Sequence, residues 1–269
     1  MNDLTIVIVS FNARDDLMAC LASLRDAPPR LAHDVVVVDN ASTDGSAHAA
    51  RAVPGVTVMA LERNAGFAAA NNAGIRATRG ELILLLNSDT IVPAGAIDAL
   101  VARLRRDPSI GVAGPRLVDG TGRPELSFGR MIGPQVEWRR KLLQRRIDRG
   151  AGDTLDWLRN ETAREHVVDW VSGACLLVRR RDAEAAGLLD ERFFLYTEDV
   201  DFCASIRKLG RKVLFTPVAT ITHLRGRSRS SQPEASRQAY RRSHVAFYEK
   251  HHPLWAPVLK LYLRLKGEL

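Results

Sequence analysis

Short apolar runs alternate with helix-spaced segments along the first half of the chain. Leu4 to Val9 is continuous enough for a strand buried on both faces. Residues 14–25 then place Leu17, Cys20, Leu21 and Leu24 on one side of a helix, which Pro28-Pro29 stops. Val35 to Val38 and Val56 to Leu61 predict a second and a third strand. Ala68 to Ala77 predicts a helix carrying Asn71 and Asn72. Leu82 to Leu86 predicts the fourth strand, Ala94 to Leu104 an amphipathic helix, and Ile110 to Ala113 a fifth strand. This rhythm predicts an α/β fold, with a mostly parallel central sheet and helices on both faces.

Three of these strands end in polar clusters: Ser10-Phe11-Asn12, Asp39-Asn40 and Asn87-Ser88-Asp89. Parallel strands bring such clusters to one edge of the sheet, where open α/β sheets bind ligands. Turn residues alone explain one cluster; three in register point to a site. Ser42 or Thr43 is placed to cap the short helix after the second strand. Neither GxGxxG nor GxxxxGK[ST] occurs, which argues against a dinucleotide oxidoreductase or a P-loop enzyme.

The second half is less regular. Residues 116–169 read as an insertion with some helix, broken by Gly120, Gly122, Gly129 and Gly133. Val171 to Val178 predicts a strand entered through Gly173. Glu198, Asp199 and Asp201 follow an aromatic stretch and sit in the first turn of a helix expected from Val200 to Leu209. A carboxylate walled by Phe193, Phe194 and Tyr196 is a candidate general base. Lys212 to Phe215 and Ala219 to His223 predict two more strands, separated by Pro217. Arg225, Arg227 and Arg229 form a basic loop suited to a phosphate, or simply a solvated one. Gln238 to Lys250 predicts a helix.

Charge adds a partner class. The chain of 269 residues carries a formal net charge of +8, which favours nucleotides, nucleic acid or an anionic membrane surface. The positive charge gathers at Arg139-Arg140-Lys141 and Arg145-Arg146, and again after Arg225. The segment from Pro253 to Lys266 mixes leucines, Trp255 and Tyr262 with Lys260 and Arg264. It suits a helix lying in an anionic lipid interface, and equally one packed on the domain or on a second subunit. The three cysteines Cys20, Cys175 and Cys203 form no disulfide or CxxC pattern and read as buried free thiols in a reducing cytosol. No signal peptide or membrane-spanning run is evident.

The ordered set Val7-Ile8-Val9-Ser10-Phe11-Asn12, Val38-Asp39-Asn40-Ala41-Ser42-Thr43-Asp44-Gly45, Asn64-Ala65-Gly66-Phe67 with Asn71-Asn72, Leu86-Asn87-Ser88-Asp89, Gly173-Ala174-Cys175 and Tyr196-Thr197-Glu198-Asp199-Val200-Asp201 carries a family resemblance. Over roughly residues 4–225 the chain resembles the inverting family 2 glycosyltransferases of GT-A fold. Within them it is most similar to bacterial rhamnosyltransferases.

The resemblance implies a GT-A domain over residues 1–225. Residues 1–115 would be its nucleotide-sugar half, residues 116–225 its acceptor and catalytic half, and residues 226–269 a basic amphipathic tail. It implies nucleotide-sugar contacts from Ser10, Asn12, Asp39, Asn64, Gly66, Phe67, Asn71, Asn87, Ser88 and Asp89. Asp89 and His223 would hold Mg²⁺ or Mn²⁺. Asp199 would be the catalytic base, with Glu198, Trp170 and Tyr196 on the acceptor side. Asn87 replaces the first Asp of the DxD motif, and an amide supplies no charge to a cation, so the metal would be held less tightly. The implied reaction transfers L-rhamnose from dTDP-L-rhamnose to a lipid-linked or cell-surface glycan, in the cytoplasm or at the inner membrane face. A UDP-hexose donor on the same fold is the alternative. A nucleic-acid-binding protein, suggested only by charge, or a silent scaffold is a remoter one.

Overall fold

The computed structural model describes residues 2–224 and 233–268. Among them β1 (Leu4–Ser10), β2 (His33–Asp39), β3 (Val56–Ala60) and β4 (Leu82–Asn87) pair in parallel in the order β3-β2-β1-β4. The sheet continues through β10 (Cys175–Arg179), antiparallel to both β4 and β6 (Ile110–Val118). Beyond β6 lies β11 (Lys212–His223), which pairs with the short β5 (Thr90–Ile91) and with β8 (His166–Val168).

The apolar run of β4 is explained by cover on both faces. Leu82, Leu84 and Leu86 join one core with α1 (Arg14–Asp26), α2 (Ser46–Arg51) and α4 (Ala96–Arg106). Ile83 and Leu85 join the other with α3 (Phe67–Arg76) and α8 (Glu198–Lys208). Burying each such side chain stabilises the fold by about 1.5–3 kcal/mol.

Several local expectations are corrected. Val171 to Val178 is not one strand: β9 (Trp170–Val171) pairs with β7 (Phe128–Gly129), and residues 172–174 turn away before β10. The turn is held by Ser172 N–H donating to the Ser127 carbonyl and Gly173 N–H donating to Asp199. Conversely, the two strands expected around Pro217 are one, β11, with its register shifted between Thr216 and Thr220. Proline has no N–H to give the ladder, so pairing skips it. Ser42 and Thr43 do not cap α2. Gly45 flanks that helix at φ 83°, while Ser42 and Thr43 bond to Asn12 instead.

The irregular stretch holds the end of β6 and β7, then α5 (Pro134–Asp148), α6 (Gly152–Thr162) and β8. A short α7 (Arg180–Ala185) follows β10. The tail forms α9 (Pro233–His251) and α10 (Ala256–Leu265), and α9 packs on the domain through Phe247 and Tyr248. Arg225, Arg227 and Arg229 lie outside the described residues. All three cysteines are free and buried, and burial pushes the Cys20 thiol up to about 12. No described helix is long and apolar enough to cross a membrane.

Candidate active site

Strand register assembles the first side of the site. Ser10 pairs with Asp39 across β1 and β2, and Val9 pairs with Asn87 across β1 and β4. The three polar strand ends therefore meet at one edge. Three acceptor atoms there, Ser10 Oγ, Asp39 Oδ1 and Asn87 Oδ1, are buried and make no hydrogen bond. Buried polar atoms are rarely left so; three together make this edge a candidate ligand site.

The neighbouring candidates divide into ligand-facing atoms and loop braces. Asn12 is a brace: its Oδ1 accepts from the Thr43 N–H at 2.8 Å. Asn64 Oδ1 likewise accepts from Asn40 Nδ2 and from the Gly66 N–H. Gly66 has φ 89°, and a Cβ there would sit 2.6 Å from the Phe194 carbonyl oxygen. Glycine is required on both counts. That contact lets Phe67 N–H donate to the same carbonyl at 2.7 Å, which joins the α3 entrance to the aromatic stretch. Asn71 Nδ2 bonds the Phe67 carbonyl, while its buried Oδ1 has no partner.

Beyond β4 the chain turns through buried Ser88 and Asp89 into β5. Pairing of β5 with β11 sets His223 opposite Thr90, so the histidine arrives beside Asp89. Its Nε2 is 3.3 Å from Asp89 Oδ1, and its Nδ1 is 3.2 Å from Glu125 Oε2. Burial opposes charge on this imidazole, but the hydrogen bonds to Asp89 and Glu125 outweigh it and push the pKa up to about 9. A cation binding here would displace the histidine proton; Nε2 and the Asp89 carboxylate are then a nitrogen and an oxygen donor, with Glu125 orienting the imidazole from behind, a set that fits a divalent cation. Among the described residues no cluster of three or more His, Cys, Asp or Glu forms a ready cage. A cation at this pair would leave several positions to substrate oxygens, as Mg²⁺ sites commonly do. Glu125 was not foreseen: a lone acid among turn residues carries no sequence signal.

The acidic cluster separates into three environments. Asp199 Oδ2 accepts from the Gly173 N–H at 2.9 Å and Oδ1 from the Val200 N–H at 2.8 Å. Burial raises its pKa against those bonds and the nearby Arg140 guanidinium. Glu198 is buried with Oε2 unpartnered; burial, then the Asp199 charge, raises its pKa well above the usual range. Asp201 points away and takes Lys250 and His251 of α9. Tyr196 and Thr197 both have positive φ, which turns the chain sharply into α8. The Tyr196 ring meets Tyr240 edge-on at 5.9 Å. Trp170 is buried, donates from Nε1 to the Arg130 carbonyl, and lies beneath the Arg140 guanidinium at 4.3 Å.

The 172–174 turn joins the two sides. Ala174 accepts from the Asn87 N–H at 2.9 Å, and the adjacent Gly173 donates to Asp199. One turn thus bonds both the strand end that leads to Asp89 and the raised carboxyl of Asp199.

This fold defines a GT-A glycosyltransferase. Residues 5–157 match the profile described as glycosyl transferase family 2, and the chain belongs to that family. It is 30% identical to the N-acetylglucosaminyl-diphospho-decaprenol L-rhamnosyltransferase of Mycobacterium tuberculosis, over 97% of this chain and 89% of the relative. In fold it is similar to a mannosyltransferase of Pyrobaculum calidifontis in complex with GDP-Man and Mn²⁺. That match has TM-score 0.64 and 19% identity, covering 96% of this chain and 68% of the other. It is also similar to S. aureus TarS in complex with UDP-GlcNAc, at TM-score 0.58 and 17% identity, covering 91% of this chain and 66% of that one.

Proposed function

We propose that this glycosyltransferase transfers L-rhamnose from dTDP-L-rhamnose, with inversion, onto a diphosphate-linked sugar carried by a lipid or onto a growing surface glycan. The carrying observation is the meeting of three unsatisfied buried acceptors, at Ser10, Asp39 and Asn87, with the raised carboxyl of Asp199 across one turn. The first group suits the donors of a base and ribose; the second suits a proton on an attacking hydroxyl. The relative's name supports the donor sugar and the lipid-linked acceptor.

In this reading residues 1–115 hold the donor, residues 116–225 the acceptor, and residues 226–269 form the tail. Ser10, Asp39 and Asn87 contact the nucleoside. Gly66, Phe67 and Asn71 wall its pocket, with Asn12 and Asn64 bracing the loops. Asp89 and His223 would hold Mg²⁺ or Mn²⁺, with Ser88 in the turn that carries Asp89 and the pairing of β5 with β11 setting His223 beside it. When bound, the cation would supply positive charge suited to a diphosphate leaving group. Asp199 takes the proton as the acceptor hydroxyl attacks the anomeric carbon. One displacement by one base inverts the centre. Burial and the Asp199 charge push the Glu198 pKa up, which favours its neutral form beside Asp199. Trp170 and Tyr196 wall the acceptor side. The enzyme works in the cytoplasm, at the inner face of the membrane that carries the acceptor.

Donor profiling by thermal shift, with and without Mn²⁺, tests the reading. A ligand at a hundredfold excess over its Kd stabilises by about 2.7 kcal/mol. The largest shift is expected from dTDP-L-rhamnose, and only with the metal. A larger shift from a UDP-hexose would reassign the donor; no shift from any nucleotide sugar would reject the site.

A further inference from the structure

Helix α10 is apolar on two opposite sides. Ala256 and Leu263 are buried against the domain, and Leu259 packs on the same core. Along the opposite side run Val258, Leu261 and Leu265, exposed by 54%, 60% and 80%, continued by Leu254, 89% exposed, in the turn just before the helix. Their spacing of three and four residues makes one stripe. A surface helix ordinarily turns its polar face outward. Here Trp255 and Tyr262, both exposed, broaden the apolar side instead.

Charge frames the stripe. No acid occurs within α10, and Arg264 and Lys266 follow its two margins. Lys266 Nζ lies 5.0 Å from the Tyr262 ring centre. Its hydrogen bond lowers the Tyr262 pKa. Helix α5 is tied to the same helical pair: Tyr248 of α9 donates to Glu137 of α5, and α9 packs against α10. On α5, Trp138 and Leu142 are exposed beside Arg139, Lys141 and Arg145. The opposite side of the same helix sends Arg140 over Trp170.

We propose that α10 and the exposed side of α5 dock on the surface of an anionic lipid bilayer, with the apolar stripe at the headgroup boundary. Charge selects this occupant over a second copy. Pairing two chains of net charge +8 through this face would bring basic margins together, whereas an anionic leaflet neutralises them. Interfacial helices have this composition: an apolar stripe with aromatic residues and flanking Lys or Arg. The proposal takes from the reading above only the lipid anchorage of the acceptor, and adds the surface by which the enzyme meets it.

The test is co-sedimentation of the full chain with vesicles of phosphatidylcholine, alone or with about a quarter phosphatidylglycerol. Binding to the anionic vesicles is expected, weaker at high salt, with a blue shift of tryptophan fluorescence. Leu261→Glu with Leu265→Glu should lower partitioning by more than about tenfold. Arg264→Ser and Lys266→Ser should each lower it by about fivefold. The donor-induced thermal shift, unchanged in every variant, shows that they fold. A chain that stays in solution with both vesicle types, or binding indifferent to the leucine changes, overturns the docking face and leaves the donor site untouched. Vesicle binding without any donor shift does the reverse. A concentration-dependent dimer that Leu261→Glu dissociates, with no vesicle binding, gives the face to a second copy and also overturns the proposal.

Discussion

Glu125 Oε2 stands 3.2 Å from Nδ1 of His223, behind the imidazole nitrogen that faces Asp89. A carboxylate in that position fixes the ring and raises its basicity toward a cation. Glu125→Gln should therefore weaken Mn²⁺ binding by about tenfold or more in the presence of dTDP, measured by calorimetry. The thermal midpoint of the metal-free variant reports folding separately. An unchanged Mn²⁺ affinity would make Glu125 a packing acid only.

Asp199→Asn should abolish transfer while preserving the donor-induced thermal shift. The bonds from Gly173 and Val200 hold the carboxylate, but the amide has no basic oxygen for the acceptor proton. Burial raises the Asp199 pKa, so kcat/KM of the wild type should fall as pH drops through a value above the ordinary carboxyl range. A variant with wild-type turnover removes Asp199 from the role of base.

Glu198→Gln separates charge from shape. The wild-type carboxyl is buried, and its pKa lies well above the usual value. Its contribution to stability is thus full below the ordinary Glu range and is lost as pH rises through the raised value. The glutamine is neutral throughout. Thermal midpoints should coincide at low pH and diverge in favour of the variant as pH rises. Divergence in the opposite sense would show that Glu198 is ionised and paired in the fold.

Periodicity carried the first half of the fold because both faces of β1, β2 and β4 are covered, which writes them as apolar runs. It also placed Ser10, Asp39 and Asn87 at one edge, since parallel strands with short loops leave them no other place. The second half was less readable. The break at Ser172 exists because Gly173 serves Asp199, a contact across 26 positions that no local pattern announces. Glu125 and Arg140 are brought in by the pairing of β11 and by the docking of α5, and composition shows Arg140 only as one of a basic run. Asp201 illustrates the converse: its spacing puts it with the acids, but its side chain anchors α9.

That anchor gives the last prediction. Lys250 Nζ donates to Asp201 at 2.9 Å and to Asp190 at 2.8 Å, and His251 Nε2 lies 2.6 Å from the same buried Asp201. Lys250→Met keeps the stem and removes the ammonium, leaving Asp201 with a single partner. The cost should be about 2–3 kcal/mol, a fall in thermal midpoint of roughly 5–10 °C. Because α9 also donates from Ser243 to the Leu195 carbonyl and backs Tyr196 with Tyr240, its loosening should raise KM for the acceptor more than for the donor. Combining it with Asp201→Asn tests the pairing directly, since residues sharing one network lose less together than the sum of their separate losses. Full additivity would mean that Lys250 and Asp201 hold α9 independently, and that the acceptor wall does not depend on this contact.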